Sequence, residues 1–207
     1  LQISTDVAYA PNAADLTSEI QRLKADAAPV LIQASYVADA TLSIKTYKQL
    51  GYLPKILIAQ DAGFVDSTFI KNVGKDAQAM ISREVWALDL GAKKPIVTSV
   101  NDLFKSQYKT NMNGNSARTF TGVFVIADAI NRAKSTQPAA IQNALKTTDL
   151  KSSHLIMPWD GVKFDEKGQN TQGAGILIQI QDGEYKTVWP DSVASAKIIY
   201  PLPDWAK

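Results

Sequence analysis

Two short apolar runs, each climbing into a polar cluster and separated by one helix-length segment, constrain this chain more than any other feature. Val30-Leu31-Ile32 leads into Gln33-Ala34-Ser35-Tyr36, and Ile56-Leu57-Ile58-Ala59 leads into Gln60-Asp61-Ala62-Gly63-Phe64. Between them, residues 37–50 read as a helix closed by Gly51. Strand, helix, strand makes the two strands parallel, joined by a right-handed crossover. Continuously apolar runs fit strands of a parallel sheet buried on both faces. Both polar clusters then sit at the carboxyl ends of neighbouring strands, where open α/β sheets hold ligands. Ser35, Tyr36, Gln60 and Asp61 are read as one wall of a small-molecule site, and Phe64 is counted with them.

The chain has 207 residues, 45% of them hydrophobic and 20% charged, enough for one or two domains with a real core. A formal net charge of +2, with no dense Lys/Arg run, gives no electrostatic case for nucleic acid. No apolar run approaches the roughly 18 residues of a membrane span. Cysteine is absent, which excludes disulfides and thiolate metal sites. The chain opens at Leu1 without a signal-peptide core, so more polypeptide is expected upstream.

Along the chain, residues 1–4 read as a strand, and Leu16, Ile20, Leu23 and Ala27 place a helix after Pro11-Asn12, capped by Asn12 or Asp15. A short helix over 67–73 stops at Gly74. Residues 79–86 read as a strand whose character changes at Arg83 and Glu84, as if the chain left one core for another. Pro95 suits the first turn of a helix carrying Val97, Val100 and Phe104. Phe120, Val123, Phe124, Ala127 and Ile130 form the broadest apolar stripe in the chain. A further helix begins near Pro138, with Ile141 and Leu145. Strands over 175–181 and 185–189 flank Asp182-Gly183, a strong hairpin signal.

Catalytic patterns are scarce. His154 is the only histidine and, within an apolar run, reads as structural or surface. Neither a G-x-G-x-x-G, a P-loop nor a G-x-S-x-G elbow is present. Asp160, Asp165 and Glu166 fit a turn-rich β segment better than a calcium loop. No metal site and no cofactor are expected. Asp61, at the end of an apolar strand, would seek a cationic or hydroxyl partner, or else is a loop or N-cap carboxylate. Tyr36 is a ligand contact or a loop aromatic packed on the next helix. Arg118 is a solvated first-turn residue or a pocket residue beside a Gly/Asn loop.

Longer motifs carry a resemblance. Asp15-Leu16-Thr17-Ser18-Glu19-Ile20-Gln21-Arg22-Leu23-Lys24 followed by Pro29-Val30-Leu31-Ile32, then Tyr47-Lys48-Gln49-Leu50-Gly51 with the strand into Asp61, are two of them. Gly161-Val162-Lys163-Phe164-Asp165-Glu166-Lys167-Gly168-Gln169-Asn170 and the tail Tyr185-Lys186-Thr187-Val188-Trp189-Pro190 with Tyr200-Pro201-Leu202-Pro203 are others. Together they resemble the periplasmic solute-binding proteins of branched-chain amino acid (Leu/Ile/Val) ABC transporters, over essentially the whole chain. The resemblance implies an α/β, type I periplasmic-binding-protein fold of two doubly wound parallel-sheet lobes, present here only in part. It places residues 1–84 and 175–207 in the second lobe, which lacks its opening strand and helix. Residues 85–174 become the C-terminal part of the first lobe, with crossings near 83–86 and 173–176.

The same resemblance implies a non-enzymatic component of an importer, periplasmic or lipid-anchored outside a Gram-positive cell. It would capture an amino acid or small organic acid, aromatic acids included, between closing lobes and deliver it to an inner-membrane ABC permease. Tyr36 matches the aromatic that closes over ligand, and Asp61 the acid that takes an ammonium. Arg118 departs from the family's pocket aromatic and suits a ligand carboxylate. A ligand-sensing domain of a receptor, or a small α/β enzyme using Asp61 and Tyr36 as acid and base, are the alternatives. A lobe without its first strands is expected to expose sheet edges and to pair with its missing portion or with itself.

Overall fold

A computed structural model describes residues 2–60 and 62–204, with Ala62 described by its backbone alone. In chain order the elements are α1 (Thr17–Asp26), β1 (Val30–Ala34), α2 (Val37–Leu50), β2 (Ile56–Gln60), α3 (Ser67–Val73) and β3 (Ile81–Glu84). Then come α4 (Pro95–Tyr108), α5 (Gly114–Ala133), α6 (Pro138–Lys146), β4 (Asp149–Lys151), β5 (Gly161–Lys163), β6 (Ile176–Gln181) and β7 (Glu184–Trp189). The chain divides into two compact units, residues 1–83 with 177–207, and residues 84–176.

The first unit is built on a five-stranded sheet in the order β1-β2-β3-β6-β7. β1 pairs parallel with β2, and β2 with β3, as the strand–helix–strand pattern requires, while β6 and β7 form an antiparallel hairpin. At its tip Asp182 and Gly183 both have positive φ, 53° and 77°, the signature of the tight turn whose twist matches its flanking strands. Gly51 closes α2 in the left-handed conformation at φ 62°. α3 is capped by Asp66, which accepts from the Thr68 amide at 2.7 Å. The core joins Leu16 and Ile20 before and on α1, Ala40, Ile44 and Tyr47 of α2, and Leu57 and Ala59 of β2.

Three expectations are corrected in this unit. Residues 2–9 form no strand, because an extended backbone needs a neighbour to complete its ladder and none is paired with it. Leu16 occupies the N-cap of α1, and Asp15 accepts from the Thr17 amide at 3.2 Å just outside it. The two leading strands are not buried on both faces. Leu57 and Ala59 are fully buried, whereas Val30 is 37% and Ile32 65% exposed.

The second unit is helical with one two-stranded ladder, β4 antiparallel to β5. Pro95 stands in the first turn of α4, where its missing N–H costs nothing, and Val97 is buried. Asn113 and Ser116 cap α5 reciprocally, each side chain serving the other's backbone amide. The apolar stripe expected to bury α5 points elsewhere. Its buried face is Ala117, Thr121, Val125 and Ala129, with Val125 packed on Leu155 and Val162. Phe120, Val123, Phe124 and Ile126 are open to solvent. Small residues let α5 approach its neighbours closely, so the larger side chains occupy the other side of the helix.

Candidate functional site

The two polar clusters do meet. The register sets Ala34 of β1 beside Gln60 of β2, and the Ser35 amide donates to the Gln60 carbonyl at 3.4 Å. The next turn folds back on the first, with the Gly63 amide donating to the Ser35 carbonyl at 3.1 Å. Gly63 has no room for a side chain: a Cβ there would lie 2.7 Å from the Tyr36 carbonyl oxygen. The strand tips are therefore locked together by backbone.

Above that lock the side chains divide by exposure. Tyr36, at the N-cap of α2, is 63% exposed, and Gln60 is also open to solvent. Ser35 is buried, its hydroxyl bonded to the Tyr9 hydroxyl and accepting from Gln33 Nε2 at 2.9 Å. Phe64 is in the core, edge-to-face with Phe69 at 5.1 Å between ring centres. Asp61 lies outside the described residues. Arg118 belongs to the other unit, exposed on α5 just past its first turn, where Nη2 donates to Asn115 Oδ1. Of the candidates among the described residues, Tyr36 and Gln60 are the ones exposed at the tips of the paired strands.

Beneath the tips runs a polar network that the apolar pattern concealed. Gln33 Nε2 donates to Ser43 Oγ at 2.7 Å as well as to Ser35, and the Tyr47 hydroxyl donates to Gln33 Oε1 at 2.6 Å. Burial pushes the Tyr47 phenol well above its ordinary range, so it stays a neutral donor. Asp39, buried in the first turn of α2, accepts from the amides of Asn12 and Ala13 at 3.2 and 3.1 Å. On the far side, the Tyr185 hydroxyl reaches the carbonyls of Phe64 and Asp66 at 2.8 and 3.0 Å. A glutamine inside an apolar strand, with a serine and a tyrosine four apart on the next helix, is the signal that marks such a network in a sequence.

No group of three or more His, Asp or Glu side chains that could hold a metal occurs among the described residues. Nor is any helix among them long and apolar enough to cross a membrane. What the rim offers is an aromatic ring, an amide and backbone ends of parallel strands, a set suited to holding a small molecule.

Open α/β sheets hold ligands outside the carboxyl ends of their parallel strands, and the comparisons with known proteins give the family of this one. The periplasmic binding protein family model matches residues 1–184, and the chain belongs to that family. Leu/Ile/Val-binding protein homolog 7 of Brucella suis is 29% identical over 196 residues, which are 93% of this chain and 49% of that protein. Leu/Ile/Val-binding protein homolog 8 of Brucella abortus is 27% identical over 92% of this chain and 48% of its own length. Among solved structures, a leucine binding protein from Thermotoga maritima superposes with a TM-score of 0.70 at 17% identity, over 84% of this chain and 48% of that one. A putative branched-chain amino acid ABC transporter protein from Silicibacter pomeroyi gives 0.72 at 14% identity, over 91% and 51%. The fold is thus part of a type I periplasmic binding protein, and the chain spans about half the length of the curated relatives it matches.

Proposed function

We propose that this chain is part of the solute-binding component of an ABC importer and takes an amino acid or a small organic acid, aromatic acids included. Residues 1–84 with 175–207 are assigned to one ligand-binding lobe, and residues 85–174 to the C-terminal part of the other. The observation that carries the reading is that Tyr36 and Gln60 are both exposed at the carboxyl ends of the paired strands β1 and β2. The names of the relatives support the substrate class and the permease partner, and the family's description points to the periplasm. Asp61 is assigned the ligand's ammonium and Arg118 a carboxylate, and no covalent chemistry is assigned to any residue.

Calorimetry of the 207-residue chain with leucine, phenylalanine and benzoate tests this. One of the three is expected to bind, with Tyr36→Ala weakening it about tenfold or more through loss of aromatic contact. Asp61→Asn is expected to weaken the amino acids and spare benzoate. Binding unaltered by Tyr36→Ala, or no heat from any of the three, overturns the assignment.

A further inference from the structure

Three parallel strands end side by side in the first unit, and the residues at their tips sort by parity. β1 ends at Ala34 and β2 at Gln60, and the register sets those two abreast. Across the next pair Ile58 lies beside Ile81 and Ala59 beside Ser82, so one step further Gln60 lies beside Arg83. Successive side chains of a strand point to opposite faces, and residues abreast share a face. Ala59 and Ser82 turn inward, the Ser82 hydroxyl donating to the Ala59 carbonyl at 3.1 Å, and Ser35 is buried like them. Gln60 and Arg83 belong to the opposite set, and both are exposed. Tyr36 is exposed in step with them, two residues beyond Ala34.

A ring, an amide and a guanidinium therefore follow one another in strand order along one rim, all within the first unit. Two strand spacings separate the tips of β1 and β3 by about 10 Å, a span that one ring-bearing molecule fills when long side chains reach inward. The guanidinium of an arginine carries five N–H donors in a planar fork. Among the described residues no hydrogen bond or ion pair engages that of Arg83. Arg118, by contrast, gives Nη2 to Asn115 within its own helix. The adjacent carboxylate, Glu84, is buried and accepts from the Val85 amide.

We propose that Arg83 binds the carboxylate of the ligand held at these tips, as a further partner beside those assigned above. The site then selects a carboxylate with an apolar body: the acid on the Arg83 fork, the body against the Tyr36 ring, and the Gln60 amide between them. This rests on the ligand-binding role proposed for the tips and adds the group that reads the ligand's charge.

The test is calorimetry of the 207-residue chain with leucine, phenylalanine and benzoate, each paired with its primary amide. An acid that binds the parent chain is expected to lose about tenfold or more in affinity on Arg83→Gln. Arg83→Lys, which keeps the charge without the fork, should lose less. Each amide is expected to bind the parent about tenfold or more weakly than its acid and to be indifferent to both variants. The Arg83 Nε–Hε resonance, identified by its loss in Arg83→Lys, should move with the binding acid and not with equal chloride. An acid bound alike by the parent and by Arg83→Gln overturns the role of Arg83 and leaves the ligand-binding role of the tips standing. So does an amide bound as tightly as its acid, or a resonance that chloride moves as far. Silence from all three acids removes the ligand-binding role itself, and Arg83 falls with it.

Discussion

The Gly63 amide donates to the Ser35 carbonyl at 3.1 Å, fastening the turn after β2 onto the end of β1. The approach is close enough that any side chain at 63 collides with the Ser35 and Tyr36 backbone, which cannot rotate away as a long side chain would. The lock sets where Tyr36 and Gln60 stand.

Gly63→Ala is accordingly expected to destabilise the first unit by about 1–3 kcal/mol, the range for overpacking a closed site. It should also weaken any ligand held at the tips. Urea melts followed by far-UV circular dichroism measure the first effect. A melt matching the parent chain would mean that the turn is not seated on Ser35.

Gln33 and Tyr47 form the second test, because neither can lose its partner to water. Tyr47→Phe strands Gln33 Oε1 in the core and is expected to cost about 1–3 kcal/mol. The same phenol predicts an alkaline limit. Its folded pKa is raised by burial above the ordinary 10.0, so below pH 10 the stabilisation is complete. As pH rises beyond that value the unfolded chain releases its proton first, and stability falls. Thermal melts between pH 9 and 12 should therefore show a shallower loss for Tyr47→Phe than for the parent, and parallel slopes would remove Tyr47 from the account.

Local signals carried much of this fold. Gly51, Gly74, Pro95 and Asp182-Gly183 ended, began or turned elements as their backbone preferences dictate. The parallel pairing of β1 with β2 followed from one helix-length connection. What stayed hidden was direction. Apolar Phe120 and Val123 read as core because composition states what a side chain favours, not whether this stretch of chain supplies the cover. Ser35 and Phe64 belong to the right turns, yet only packing decides that one is bonded inward and the other stacked on Phe69. The Gln33 network went unread for a related reason: besides nearby Ser35, a buried glutamine is satisfied there by partners ten and fourteen residues away.

Tyr185 tests how firmly the far side of the tips is held. Its hydroxyl lies on the Phe64 and Asp66 carbonyls, bridging the β6–β7 hairpin to the turn after β2. Tyr185→Phe is expected to cost about 1 kcal/mol and to speed amide exchange of residues 63–66 while leaving α1 unchanged. Uniform acceleration across the unit would show a global loss instead of a local tether.

On α5 the two apolar faces separate cleanly by mutation. Val125 is packed on Leu155 and Val162, so Val125→Ala should cost about 1–3 kcal/mol through lost burial and a residual cavity. Val123, 63% exposed two residues earlier, should tolerate Ala within about 0.5 kcal/mol. A helix apolar nearly all round belongs in an interior, so the open face of Phe120, Val123 and Phe124 should make the isolated chain prone to associate. Phe120→Gln with Val123→Gln is expected to lower light scattering at high concentration without lowering the melting temperature. Were the double variant to melt markedly earlier, Phe120 and Val123 would have to be packed in the chain alone, and the assignment of the buried face to Ala117, Thr121, Val125 and Ala129 would have to be reversed.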